Sequence, residues 1–421
     1  MNIMAIVCWI VFIVLLILAF TRKTNMGVLA FGAALILGRL IGMTDKEIVK
    51  TLSSSLFVTL TGITLLFSAV NSTGALELVA KKIANIFGKK VWTLPIIAYL
   101  IGFILAIIGP GAIPPTTLVV TMTVSIAISA GYNPIMMGVI GGLGLMGGRV
   151  AAITPEGNLV ATLAAEQGIS SSVILPVCLF QIVTTVLAAV ALFFVMGGHK
   201  VKGEKVEIES AKATPQQLIA LGAIVAMLVL VVILGFDTGL TSFIIAAILF
   251  LFHVVDEKTA IKNVPWGTIV MILGVGVLMS VISKAGGIDM LCNALAGVMS
   301  PGTVAPFSGV TAGIMSLVSS GLGVVYPTLI PTASDLVRSV GGGNPIAVIS
   351  AIVAGGSLAG FSPMSTCGAL TLGAMSALLP NMSKEEQNQN FMKLIIVAAC
   401  FIIWVGVSAA IFGNLCAGVA S

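Results

Sequence analysis

The chain has 421 residues, of which 58% are apolar and only 8% charged, with a net charge of +5. A soluble domain carries about 25% charged residues, so this composition excludes a soluble enzyme and a nucleic-acid-binding module and indicates a polytopic membrane protein. The basic excess lies in loops between apolar segments, which reports membrane orientation rather than a polyanionic partner.

The first apolar run, 3–20, is followed by Arg22-Lys23 and has no charge before it. That is the reverse of a secretory leader, so an uncleaved first span is expected. Spans follow at 26–42 and 55–71, then an amphipathic helix at 75–88. An apolar pair, 91–130, turns at the uncharged GPGAIPPTT (109–117). It reads as a re-entrant hairpin, the alternative being two full spans joined outside the membrane. An interrupted segment at 134–166 and a span at 172–197 close the first half. A polar linker of mixed charge occupies 199–214. The second half gives spans at 216–235, 239–255 and 267–283, an apolar pair at 303–340 turning at SSGLGVVYPT (319–328), an interrupted segment at 345–375 and a span at 391–413.

The halves repeat one another. Asn25-Met26-Gly27 matches Asp237-Thr238-Gly239, and Tyr132-Asn133-Pro134-Ile135 matches Gly343-Asn344-Pro345-Ile346. GGRVAAITPEGN (147–158) matches GGSLAGFSPMST (355–366). The expected units are therefore 1–198, a linker 199–214 and 215–421. Each half holds five spans, one broken, plus a returning pair. That is an odd number of crossings, so the second half starts on the opposite side: an all-α protein of two inverted repeats. Placing the N-terminus outside leaves Arg22, Lys23, Lys81, Lys82, Lys89, Lys90, Lys200, Lys202, Lys205, Lys212, Lys258, Lys262, Lys384 and Lys393 in the cytoplasm. These are fourteen of the twenty basic residues, the bias expected of cytoplasmic loops. Both termini then face out.

Proline, glycine and hydroxyls at membrane depth break a helix, which is tolerated only where the backbone is buried or lines a cavity. A break repeated in both halves of a transporter points to its substrate site. Half-helix N-termini there offer free N–H groups and partial positive charge to a carboxylate. The candidate substrate contacts are Thr154, Asn158, Ser362 and Thr366 at the breaks, Thr116, Thr117, Ser320 and Thr328 at the hairpin turns, and Arg149. Each hydroxyl has a competing local use as a helix cap. Arg149 stands alone as a basic residue deep in an apolar segment, where an ionisable group needs a partner. A substrate carboxylate and Glu156 compete for that role. Ser319, Gly321, Gly148, Gly356 and Glu156 are candidates for handling a coupling ion, Glu156 as a proton carrier. The six cysteines are spaced singly and read as packing residues; no cofactor is expected beyond Na+ or H+. His199 and His253 lie at span ends and read as solvated.

With hairpins, broken helices and inverted halves in view, the chain resembles the ion transporter superfamily, which includes the divalent anion/sodium symporters. The first half of the chain, with TNMGVLAFGAALILGRLIGM (24–43) and GGRVAAITPEGN, is similar to the N-terminal region of malonate-carrier (MatC-like) proteins. The resemblance implies an elevator-type carrier of a small dicarboxylate, a homodimer, in a bacterial inner membrane. The Ser-Asn-Thr signature of those symporters is absent from both tips, which read Pro114-Pro115-Thr116-Thr117 and Ser319-Ser320-Gly321. Gluconate-like sugar acids are the alternative cargo, and a channel is the alternative transport class. No clustered nucleophile, base or metal set supports an intramembrane enzyme.

Overall fold

The computed structural model describes residues 3–87, 91–201 and 212–420; Lys89, Lys90, Lys202 and Lys205 lie outside the described residues. The first repeat comprises α1 (Ile3–Arg22), α2 (Met26–Leu40), α3 (Asp45–Lys50), α4 (Ser54–Ser72), α5 (Ala75–Phe87), α6 (Leu94–Ile107), α7 (Thr116–Ala130), α8 (Pro134–Gly148), α9 (Pro155–Ala165) and α10 (Ile174–Val195). The second comprises α11 (Pro215–Leu228), α12 (Thr238–Leu251), α13 (Glu257–Lys262), α14 (Trp266–Lys284), α15 (Gly287–Ala296), α16 (Val304–Val318), α17 (Tyr326–Leu329), α18 (Ala333–Ser339), α19 (Pro345–Leu358), α20 (Thr366–Leu378) and α21 (Lys384–Ala417). No strand occurs among the described residues.

Local chemistry sets the helix starts. Asn133 accepts the Ile135 amide at 2.9 Å and is followed by Pro134; Asn344 and Pro345 repeat the arrangement. An asparagine cap followed by proline at the first helical position is a strong start signal. Every helix of the first repeat recurs in the second at a near-constant spacing: α1 starts at Ile3 and α11 at Pro215, α4 at Ser54 and α14 at Trp266. The counterpart of α7 follows a π-turn (Gly321–Val325) and is split into α17, a 3₁₀ turn (Ile330–Thr332) and α18. Pro327 and Pro331 remove backbone donors there, so a continuous helix cannot form.

Packing obeys the same two-fold relation. A Cβ built on Gly27 would lie 2.4 Å from Met271 Cα, and one on Gly239 would lie 2.7 Å from Thr59 Cα. In the register that pairs Ile3 with Pro215, Gly239 is the counterpart of Gly27 and Met271 that of Thr59. Thus α2 lies on α14 and α12 on α4, with only glycine allowing such close approach. These helices, with α1, α3, α5, α11, α13 and α15, form a frame around the hairpins and broken helices, and α10 and α21 complete the inner group.

The hairpin arms α6 and α7 have 14 and 15 residues. At about 1.5 Å per residue they reach roughly 20 Å, and their turn ends inside the bundle, where the Ala112 amide meets the fully buried Glu156, as a re-entrant hairpin requires. Contacts assign the two ends of the bundle. Asn25 donates to the Gly267 carbonyl at 2.7 Å and Ser68 to Ala260 at 2.7 Å, at the end where the linker lies. Lys284 meets Glu47 at 3.8 Å and Gln167 donates to Ile330 at 2.7 Å at the opposite, terminal end.

Three elements depart from the expected spans. The short helices α3 and α13 are capped by Thr44 and Asp256, and hydrogen bonds from the Thr44 amide and hydroxyl hold the Glu47 carboxyl below its usual range. The last helix runs 34 residues rather than 391–413, because Ser383 and Glu386 form a capping box ahead of its polar first turns.

Candidate functional site

The first break is built by glycine packing and a threonine cap. In α8, a Cβ on Gly144 would lie 2.0 Å from the Tyr99 carbonyl and one on Gly148 2.4 Å from that of Phe103, so α8 is pressed onto α6 up to its end. Thr154 then caps α9: its hydroxyl accepts the Gly157 amide at 3.0 Å and donates to the Arg149 carbonyl at 2.6 Å. Pro155 follows and Glu156 occupies the first turn, where the helix dipole favours an anion.

The tip of the first hairpin closes onto this break. The Ala112 amide donates to Glu156 Oε1 at 3.0 Å. Glu156 is fully buried, and its Oε2 has no hydrogen-bond partner. Arg149, 7% exposed, places Nη2 3.6 Å from Glu156 Oε1 and Nη1 3.4 Å from the Ser357 hydroxyl of α19. Its guanidinium carbon stands 6.0 Å from the Tyr326 ring centroid. Tyr326 hydrogen-bonds Ser357 at 2.8 Å and donates to the Val353 carbonyl at 3.0 Å. Arg149 and Glu156 therefore tie the first hairpin, both broken helices and the second hairpin together at one point.

The second break differs in register. Gly355-Gly356 matches Gly147-Gly148 in sequence, but the half-helices that begin at Pro134 and Pro155 recur at Pro345 and Thr366, out of step with those glycines. Gly355 and Gly356 consequently lie inside α19, against the Gly309 carbonyl and the Tyr326 ring, not at its end. Ser365, not Ser362, occupies the cap position of α20, and its side chain makes no capping bond. The Gly321 backbone packs on the Gly356 carbonyl, which accepts the Ser316 hydroxyl at 2.9 Å.

The sequence candidates fall into distinct environments. Thr154 is consumed as a cap, and the Thr116 hydroxyl bonds the Ala112 carbonyl. The Asn158 amide donates to the Ala152 and Thr154 carbonyls, both at 2.9 Å, leaving its oxygen for another donor. Thr328 is buried with its hydroxyl unpaired, Ser362 is buried, and Thr117 and Thr366 are exposed. Ser319 donates to the Met315 carbonyl at 2.6 Å and Ser320 accepts the Gly323 amide at 3.0 Å. Among the coupling-ion candidates, Gly148 and Glu156 sit at the first break, Ser319 and Gly321 at the second hairpin tip, and Gly356 in α19 against that tip. His199 and His253 are exposed.

Two cavities approach this centre from opposite ends. One, of about 780 Å³, opens at the linker end past Lys23 and Asn25 and reaches Ser319, Ser320, Met271 and Met364. The other, of about 620 Å³, opens at the terminal end past Lys284 and Arg338 and reaches Leu159, Ile272 and Pro327. Ser319 and Ser320 are the sequence candidates that line the first. Tyr326, Ser357, Ser365 and Met271 were not read from the sequence; a lone tyrosine in an apolar turn was the one available signal.

A family model described as CitMHS, citrate transporter, matches residues 13–354, most of the chain. The chain belongs to the citrate transporter family. No curated protein sequence matches it. Among solved structures, the Alcanivorax borkumensis YdaH transporter, reported to have an unusual topology, superposes with a TM-score of 0.57 at 14% identity, over 87% of each chain. At that identity the likeness concerns the fold alone, and the inverted helical repeats described above are consistent with it. Citrate transporter family membership makes this a multi-pass transporter of an organic anion and not an enzyme.

Proposed function

We propose that this chain is a secondary carrier for a small organic anion with two or more carboxylates, worked by elevator-type alternating access. The observation carrying the reading is that two broken helices and two hairpin tips converge on one buried centre, with a wide cavity of mixed polar and apolar lining leading toward it. The capping Ser365, whose side chain is free, marks an open helix N-terminus beside Met364, and the Ser319–Ser320 tip faces the same cavity. Open N-termini and hydroxyls bind carboxylate oxygens without a buried countercharge. The citrate transporter family name and the resemblance to malonate carriers both support a di- or tricarboxylate over a sugar acid. The resemblance further supports a homodimer in a bacterial inner membrane, and the distribution of lysine and arginine puts the linker end in the cytoplasm.

Import of a dianion against the membrane potential needs cotransported cations, since each charge is worth about 2.3 kcal/mol per 100 mV. Hydroxyls and broken backbone suit sodium. A second coupling reading rests on Glu156: a fully buried carboxyl with one unpaired oxygen is placed to carry a proton. Uptake of radiolabelled malonate, succinate, citrate and gluconate into proteoliposomes separates these. Saturable, counterflow-competent uptake of a di- or tricarboxylate, raised several-fold by a sodium or proton gradient, is expected. Linear uptake without counterflow would mean a channel, and a preference for gluconate would remove the dicarboxylate site.

A further inference from the structure

The frame of this protein obeys its two-fold relation, and the seating of the inner elements on that frame does not. In the second repeat the hairpin's return segment, with its π-turn and α17, packs on α14; in the first repeat α9 packs on α4. No comparable packing joins α7 to α4 or α20 to α14 among the described residues. Both packed elements, α9 and the return segment, run from the centre toward the terminal end. Both unpacked elements, α7 and α20, run toward the linker end, where a further cavity of about 540 Å³ lies between them and α5. On its terminal side the inner group rests on the frame around the cavity of about 620 Å³, and on its linker side it stands off the frame.

The partition between the linker-end and terminal-end cavities is thin. Along α14 the cavity lining changes from Met271, facing the linker end, to Ile272, facing the terminal end. Along the hairpin it changes from Val324 to Pro327 within one turn, about 5 Å of helix. Met271 fills that turn. Its side chain lies on Gly323, where a built Cβ would sit 2.8 Å from Met271 Cγ and Cε.

We infer that Met271 is a gate residue that closes on Gly323 to separate the two cavities, and that Thr59 is its counterpart, closing on Ile113 when the inner group moves to the other end. The frame places Thr59 on Gly239 just as it places Met271 on Gly27. Ile113 precedes Thr116, the start of α7, by the same step that Gly323 precedes Tyr326, the start of α17. It is 38% exposed at the first hairpin tip, with its apolar side chain unseated. Repeats of opposite orientation exchange their arrangements between the two ends, so the contact now made by one repeat is available to the other. This inference rests on the carrier reading but not on the identity of the cargo.

Paired cysteines test it in a background lacking the six native cysteines. The Cβ of position 323 would lie 2.8 Å from Met271 Cγ, and so no more than about one bond length farther from Met271 Cβ, within reach of the roughly 3.5–4.5 Å that a disulfide spans. Met271→Cys with Gly323→Cys is expected to cross-link on oxidation and to block modification, by a reagent admitted from the linker end alone, of a cysteine introduced at Leu159 in the terminal-end cavity. Thr59→Cys with Ile113→Cys is expected to cross-link more slowly, and the two bonds to exclude one another in the four-cysteine protein. Reduction should release both. The inference is overturned if the Thr59–Ile113 pair never cross-links in protein whose Met271–Gly323 pair does, or if both bonds form in the same molecule. Should the bonds exclude one another while no carboxylate is taken up, the gates stand and the cargo reading fails.

Discussion

Arg149→Met is expected to destabilise the protein by about 3–5 kcal/mol, the cost of leaving one member of a buried ion pair behind. The change strands Glu156, fully buried, with the Ala112 amide as its remaining donor. Protonation of Glu156 would recover part of that cost, since a buried carboxyl neutralises when it loses its partner. The double change Arg149→Met with Glu156→Gln removes both charges and is expected to restore a monodisperse, heat-resistant protein. Thermal unfolding in detergent reads both variants. Because the guanidinium is turned to Glu156, Ser357 and the Tyr326 ring and is almost wholly covered, the double variant is also expected to retain measurable uptake. A single variant as stable as the parent would show that the pair holds nothing. A stable double variant devoid of uptake would return Arg149 to the substrate site.

Gly111→Ala is expected to be comparably damaging, through two costs that a control separates. Gly111 has φ +70°, and a Cβ there would lie 1.8 Å from Glu156 Oε2. The left-handed backbone alone costs an L-residue about 1–2 kcal/mol. Gly42 has φ +84° and nothing within 4 Å of a built Cβ, so Gly42→Ala carries the backbone cost alone. At Gly111 the methyl must also push Glu156 aside, which breaks the Ala112 bond and separates the hairpin tip from the break. Gly111→Ala should therefore lose several kcal/mol more than Gly42→Ala in the same thermal assay. Equal losses would mean that the tip does not rest on Glu156.

The duplication was legible because its signals are local. Asparagine-proline starts, glycine pairs and span lengths survive in the sequence at a near-constant offset, and they yielded both hairpins and both broken helices. The register of the second break was not legible. Gly355-Gly356 resembles Gly147-Gly148 because both pairs pack tightly, but the helix carries on past the second pair, so the motif aligns Ser362 with the capping Thr154 while Ser365 takes the cap position of α20. The hydroxyl candidates illustrate the same limit: Thr154 and Thr116 satisfy backbone groups of their own segments, and only folding shows that Ser319 and Ser320 reach a cavity. Arg149 and Glu156 were flagged by their depth and spacing. Their joint attachment to Ser357 and Tyr326 depends on contacts between the two halves of the chain, for which no short pattern exists. The gate at Met271 is of this kind too, since a methionine in an apolar helix carries no sign of what lies across from it.

In the proposed carrier, substrate enters from the linker end to a site bounded by the second hairpin tip and the second break. Met364, 57% exposed and lining the linker-end cavity, reports on it directly. With the native cysteines removed, Met364→Cys should react with an impermeant thiol reagent in inverted vesicles and not in intact cells. Saturating citrate, or whichever carboxylate the uptake screen selects, should slow that reaction at least tenfold, with a half-maximal concentration equal to that for transport. Labelling at an unchanged rate, in the presence of substrate that saturates uptake, would place the substrate elsewhere.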